Sequence, residues 1–360
     1  MDINIQYLTR FDLMAKYIYI KFKDLNINTN FHIELYHNHI ITFNNCWEYP
    51  GTKKNINDFY KSFDNLIYNI KNNGFDKNYP IPIGKNNIII NGSHRLITCF
   101  YYKINPIFIK KKEIGNINYN YKYFLYRDTN KKFDIKYTDY MALEYIKLNN
   151  NMRCMIIYPS AYENANFNII ESIINNYGII YYDKIVLLNK NGINNLIKEM
   201  YRDEQWIGGT FPKGYSPGGK AQLCVNNKCN KIRIYLFHMN DLTKLIELKE
   251  KCRNLFRLGK HSLHISDYSK DTFRIAASLL NENSIHFLNN GTNDISENTK
   301  KLLINYFKLN KNNEDNIIIT EINNNKINYI LANEDDDKLY NPINFYYFNG
   351  YKIYKDINLI

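Results

Sequence analysis

Apolar and polar positions change period several times along this 360-residue chain. In FYKSFDNLIYNIKNNG, Phe63, Leu66, Ile67 and Ile70 recur at helical spacing, and Gly74 is a natural helix stop. The next blocks, IPIGKNNIII, NGSHRLITCFYYK and PIFIK, predict two short strands about a polar turn, a glycine turn opening a helix, and another strand. A helix near 139–148 follows a polar stretch. From Arg153 the order is strand (RCMIIYP), helix (168–177), strand (GIIYYDKIVLL), helix (GINNLIKEMY), strand (KIRIYLF), helix (241–255), GKHSLHISD, and a helix over 272–280. FHIELYHNHIITF reads as a strand pair with a His-Asn-His turn. His37 and His39 lack a third ligand nearby, so a surface hairpin is preferred to a metal site. No internal repeat is found.

These blocks predict an α+β protein of several domains: 1–120, a linker over 121–150, a second domain over 151–300, and a C-terminal helix with short β runs over 301–360. At 45% hydrophobic residues the chain can bury a core. No apolar run approaches the roughly 20 residues a membrane span needs. Arg10, Asp12 and Lys16 interrupt the opening segment, which argues against a signal peptide. The six cysteines hold one close pair, Cys224 and Cys229, so reduced thiols and a cytoplasmic location are expected.

The formal charge of +12 would ordinarily suggest a polyanion partner. Here Asn, Ile, Lys and the 33 tyrosines fill every segment. Their codons are rich in A and T, so the bias reads as genomic, as in a low-GC microbe or a large DNA virus. Lysines spread this way argue less for nucleic acid than a clustered stripe would.

Two stretches carry candidate chemistry. Gly92-Ser93-His94-Arg95 joins a tight turn to a helix N-terminus, whose free N–H groups and dipole suit an anion, and Arg95 adds a fork of donors. A plain turn with an exposed His and Arg is the alternative. Around it, Gly74, Pro80-Ile81-Pro82-Ile83, Ile88 to Ile90, Gly92 to Arg95 and Pro106-Ile107-Phe108-Ile109 stand in the order and spacing of the ParB/sulfiredoxin superfamily, which the segment resembles over about 50 residues. The resemblance implies that Gly92, Ser93, His94 and Arg95 hold nucleotide phosphates. Ser93 stands where the redox branch has Cys, which disfavours sulfinic acid chemistry. No helix-turn-helix follows, which disfavours chromosome partition. A kinase of this type needs an acidic residue, for which Glu48 and Asp64 are candidates.

The second stretch is GKHSLHISDYSKDTFRIAASLL, where His264 precedes Ser266-Asp267. Such a histidine suits a base, a metal ligand or a phosphate carrier; Ser266 or Asp267 also suits the N-cap of the following helix. With Tyr158-Pro159-Ser160, Gly178, Tyr201, KIRIYLF, Arg253 and His264-Ile265-Ser266-Asp267 in order, residues 153–285 resemble nucleoside diphosphate kinases. That implies a ferredoxin-like fold and His264 as phosphate carrier. Departures are Tyr158 for the family's Lys, Ile275 for the Glu that orients the His, and a shorter spacing from Arg253 to His264; they support the fold better than the carrier chemistry. Lys220, Arg253, Arg257 and Lys260 suit phosphate or a solvated basic face equally. The glycine-rich 208–220 loop is not a Walker A sequence. Trp206 beside it suits base stacking or core packing.

The function expected is ATP- or other NTP-dependent phosphotransfer to a small metabolite or nucleotide, with Mg²⁺ bridging phosphates and no membrane partner. The rival is a ParB-like nucleic-acid-binding protein or nuclease with an inactive kinase-like second domain.

Overall fold

The computed structural model describes residues 10–290, apart from 28, 49–50, 52, 116–118, 127–132, 202–203, 205 and 207–217, together with four strands between 317 and 354. The predicted 208–220 loop therefore lies largely outside the described residues. The chain divides into two compact units, Met1–Glu144 and Tyr145–Ile360.

Unit 1 is built on α1 (Asp12–Asp24), which is buried nearly all round: Leu13, Met14, Ala15, Ile18, Ile20 and Phe22 are fully buried, and Asp12, Lys16 and Lys21 are buried with them. It packs against α2 (Phe31–Asn44) and against the helix over Ser93–Tyr101. The predicted hairpin over 31–43 is corrected here, since that segment is one helix. Phe31, Leu35, His39 and Phe43 recur every four residues and, with Tyr36 and Ile40, make a helical face that packing against α1 and aromatic neighbours satisfies.

Next comes α3 (Ile56–Asn73), opened by a reciprocal capping box between Asn55 and Asp58 and closed by Gly74 at φ 78°. Strand β1 (Ile81–Ile83) pairs in parallel with β2 (Phe108–Lys110), and α4 (Ser93–Tyr101) crosses between them. The second strand expected over 88–90 reduces to a single bridge, Ile83 to Ile89. There the 113–115 segment takes the backbone positions: Lys85 N–H donates to Glu113 O, and a Cβ on Gly115 would stand 2.2 Å from Ile88 O. Two further helices are α5 (Tyr121–Tyr126) and α6 (Ile135–Lys147).

Unit 2 holds a four-stranded sheet of β3 (Met152–Ile157), β4 (Gly178–Leu187), β5 (Lys231–Met239) and β6 (Leu263–Ile265), in spatial order β4-β5-β3-β6 with every neighbouring pair antiparallel. Strands β3 and β4 run the same way with β5 between them, joined by α7 (Pro159–Tyr162) and α8 (Phe167–Tyr177). Strands β5 and β6 likewise flank β3, joined by α11 (Leu245–Asn254). The result is two interlocked split β-α-β units. Met155, Ile157, Tyr235, Phe237 and Ile265 bury one face of the sheet against Ile170 and Ile174 of α8 and Leu248 and Cys252 of α11.

All six residues of β3 are buried, so both faces of the central strand are covered. Helix α12 (Ser269–Leu279) also packs against β3 and joins α9 (Lys190–Met200) and α13 (Glu282–Asn290); α10 (Gly218–Cys224) contacts α7 and α9. Strands β7 (Ile317–Asn323), β8 (Lys326–Leu331), β9 (Phe345–Phe348) and β10 (Tyr351–Tyr354) form a second sheet in the order β8-β7-β10-β9. Among the described residues no helix is long and apolar enough to cross a membrane.

Candidate functional site

In unit 1, Gly92 caps α4 at φ 87°, a left-handed conformation that a side chain would strain; a Cβ there would also meet the Arg95 guanidinium at 2.9 Å. Ser93 is the first residue of the helix. Arg95 turns away from an anion seat: its Nη1 donates to the carbonyls of Tyr79 and Pro80. The His94 Nε2 shares a 2.9 Å hydrogen bond with the Tyr36 hydroxyl, and Phe63 stands edge-on to the ring at 4.5 Å. Desolvation holds His94 well below the usual imidazole range, and Lys16 and Lys53 push the same way.

Nearby, Asp12 is completely buried and accepts both Nε and Nη2 of Arg10 at 2.9 Å and Lys16 Nζ at 2.8 Å. Burial works to raise the Asp12 carboxyl, but Arg10 and Lys16 overrule it and hold it well below the carboxylate range. Fully buried His39 has no partner at either ring nitrogen among the described residues. The candidate acids are paired: Glu48 with Lys53 at 2.8 Å, and Asp64 with Lys23 at 2.6 Å and the Tyr19 hydroxyl at 2.9 Å.

In unit 2, His264 occupies the middle of β6 opposite Ile156. Its Nδ1 shares a 2.9 Å hydrogen bond with the hydroxyl of Tyr201, the residue that ends α9, and the neighbouring Tyr158 hydroxyl donates to Met200 Sδ at 3.9 Å. Desolvation and then Lys249, Lys220, Arg253 and Arg274 lower His264 to about 3, so its imidazole is neutral at physiological pH.

Lys220 Nζ donates to Lys260 O at 3.0 Å and lies 5.1 Å from the centre of the Tyr201 ring. Desolvation lowers its pKa, with Arg253 and Lys260 pressing in the same direction. Arg253 has a buried Nε without a partner, and its guanidinium makes no ion pair among the described residues. Trp206, 52% exposed, packs on Tyr201 at 5.0 Å.

The structure thus brings four residues singled out from sequence, His264, Lys220, Arg253 and Lys260, into one neighbourhood. Ser266 and Asp267 sit beside it in other roles. The buried Ser266 Oγ accepts from the Cys154 N–H at 2.9 Å and shares a 2.7 Å bond with Thr272 Oγ1, while Asp267 pairs with Lys249. Neither caps α12, whose N-cap is Tyr268 with no side-chain cap bond, which corrects the capping expectation.

Lys249 was not found from sequence, yet it lies four residues before Arg253 on α11. That spacing places both on one helical face and was the available signal. Among the described residues no three His, Cys, Asp or Glu side chains form a metal cage. The donor set suits phosphate oxygens. Comparison with family models, curated proteins and solved structures finds no match to this chain.

Proposed function

We propose that this protein is an NTP-dependent phosphotransferase acting on a small metabolite or nucleotide, with the phosphates seated in unit 2 between His264 and the cations Lys220, Arg253 and Lys260. The observation that carries the reading is Arg253. A guanidinium with a buried, unpartnered Nε is costly without an anion, and here it stands among like charges beside a neutral imidazole. Such a field disfavours an imidazolium and favours a phosphoryl group at the same place.

The split β-α-β pair, with Tyr158, Tyr201 and Arg253 converging on His264, supports a ferredoxin-like unit of the nucleoside diphosphate kinase type. The α3-β1-α4-β2 order with Gly92 at the turn supports a ParB/sulfiredoxin-like unit 1. In this reading Lys220, Arg253 and Lys260 bind and orient the phosphates, and Tyr201 fixes the His264 ring. Mg²⁺, when carried in on the nucleotide, would neutralise phosphate charge; the described residues build no cage for it.

The test incubates the full chain with γ-labelled ATP or GTP, with and without Mg²⁺. Saturable NTP binding that Arg253→Ala weakens supports the seat. An acid-labile label on the protein, absent in His264→Asn, would show His264 as carrier. Turnover without label would place transfer directly between the substrates, and with Ile275 buried where an orienting carboxylate would stand, that is the expected result. Failure to bind any NTP, with steeply salt-dependent binding to DNA instead, would overturn the proposal in favour of nucleic acid.

A further inference from the structure

Unit 2 has a concavity that the phosphotransfer reading does not use. It is a hollow of about 480 Å³ beside Pro159, where β3 passes into α7, β4 into α9, and the 225–230 turn into β5. That volume lies within the range of small-molecule sites.

Its floor is apolar, with Leu188 and Ile193 buried. Its rim is polar and cationic. Lys190 and Lys228 both line it, and the described lining contains no carboxylate. The side chains of Lys190, Asn227, Lys228 and Asn230 have no partner among the described residues.

The frame around these free groups is held in place. Asn189 Oδ1 accepts from Gly192 N–H at 2.8 Å and so caps α9, whose first residues line the hollow. The Asn189 side-chain amide donates to Asn289 O at 3.1 Å, and Asn289 returns a 3.1 Å bond to Leu187 O. In the 225–230 turn Asn226 Oδ1 accepts from Lys228 N–H at 2.9 Å, and Asn226 bridges Cys229. The free side chains are therefore mounted on backbone that is already fixed, which lowers the ordering cost of binding.

Each feature selects for part of a ligand. Two lysines in the lining, one of them the first residue of the eleven-residue helix α9, suit a dianion. A phosphate monoester carries a charge near −2 at neutral pH, and a carboxylate only −1. The apolar floor suits a flat organic body. Asn227 and Asn230 each offer both a donor and an acceptor, which is the pattern that reads the edge of a nucleobase.

We propose that this hollow binds a nucleoside 5′-monophosphate, with the phosphate on Lys190, Lys228 and the start of α9, and the base on Leu188 and Ile193 with its edge toward Asn227 and Asn230. The site stands on its own residues and shares none of His264, Lys220 or Arg253.

The test is calorimetric titration of the full chain with AMP, GMP, CMP and UMP, alongside ribose 5-phosphate and inorganic phosphate. At least one monophosphate should saturate. It should bind at least tenfold tighter than ribose 5-phosphate, and the Lys190→Ala/Lys228→Ala double variant should weaken it at least tenfold. These four side chains are exposed, so the variants keep the fold, which circular dichroism checks. Asn227→Ala should reduce discrimination among the four bases.

Monophosphate binding should be unchanged in Arg253→Ala, while NTP binding falls. Loss of both together in that variant would mean one shared site and would overturn the inference. Binding of NTP without any monophosphate would overturn it while leaving the phosphotransfer reading intact, and the reverse result would sink only that reading. Equal affinity for inorganic phosphate and the best monophosphate would show an anion seat alone and defeat the nucleoside assignment.

Discussion

Two histidines, one in each unit, look alike at close range and differ in what surrounds them. His94 and His264 each share a 2.9 Å hydrogen bond with a tyrosine hydroxyl, and burial drives each to the neutral form. Around His94 the cations are answered. Arg10 and Lys16 close on Asp12, Lys53 on Glu48, and Arg95 on two backbone carbonyls. Around His264 two are answered, Lys249 by Asp267 and Arg274 by Asp271, and two are not: among the described residues Arg253 has no counterion and Lys220 only a carbonyl. An answered cation reads as architecture and an unanswered one as half of a binding interaction, which is why the phosphate seat is assigned to unit 2.

The sharpest break in this comparison is expected from removing the answer in unit 1. Asp12→Asn strands Arg10 and Lys16 in the interior and should cost roughly 3–5 kcal/mol in urea denaturation. The matched change at the other site, Asp267→Asn, touches an exposed pair and should cost less than about 1 kcal/mol. Equal costs would mean that the Asp12 network is not the structural one.

The two arginines separate next. Arg253→Ala should weaken NTP binding by about 1.5–3 kcal/mol, roughly 10- to 100-fold, with little change in stability. Arg95→Ala should do the reverse, leaving NTP affinity unchanged and lowering stability by about 1 kcal/mol as the Tyr79 and Pro80 carbonyls lose their donor. An Arg95→Ala variant that loses nucleotide would return the site to the Gly92 turn.

Acid should also destabilise both units, since in unit 2 His238 and His261 are held below the usual imidazole range as well, by desolvation first. His39 and His94 are held well below, and His32 down to about 4, against an unfolded value near 6.5; desolvation leads in each case. Between those values the unfolded chain binds more protons than the folded one, so stability falls as pH drops below about 6.5, by up to roughly 1.4 kcal/mol per pH unit for each ring. His264, lowered to about 3, adds the same sign in unit 2. Asp12 adds a later loss, only below about pH 4. A melting temperature flat from pH 7 to 5 would contradict this account, and His39→Leu should shallow the slope.

The smallest effect belongs to Tyr201→Phe. Losing the hydroxyl frees the His264 ring and should cost about 1 kcal/mol of stability or less. NTP affinity should change little if the cations do the holding.

Much of unit 2 was legible in sequence because its strands are long apolar runs separated by helical periods, with Gly178 marking the passage from α8 to β4. Strand order was not readable, since it depends on which runs pair across distances such as Cys154 to Ser266. Helix α2 was misread because its aromatic and β-branched residues favour strands in isolation, while the four-residue recurrence of Phe31, Leu35, His39 and Phe43 pays off only against α1. Arg10, Asp12 and Lys16 were legible as charges that interrupt an apolar segment, but their mutual closure was not, because only the burial of α1 makes it necessary. At the candidate site the residue types were readable one by one. Arg253's lack of a counterion was not, because it is a fact about neighbours.

The tyrosine-rich interior has an optical consequence. The chain has 33 tyrosines and two tryptophans. Trp47, 55% exposed, is next to Glu48, and Trp206 lies against Tyr201. Each unit therefore carries one tryptophan, and the one in unit 2 lies against the candidate site, excited directly at the red edge or by energy transfer from nearby phenols. Trp47→Phe would leave Trp206 as a single intrinsic reporter beside His264, able to register ligand arrival by quenching without any attached dye.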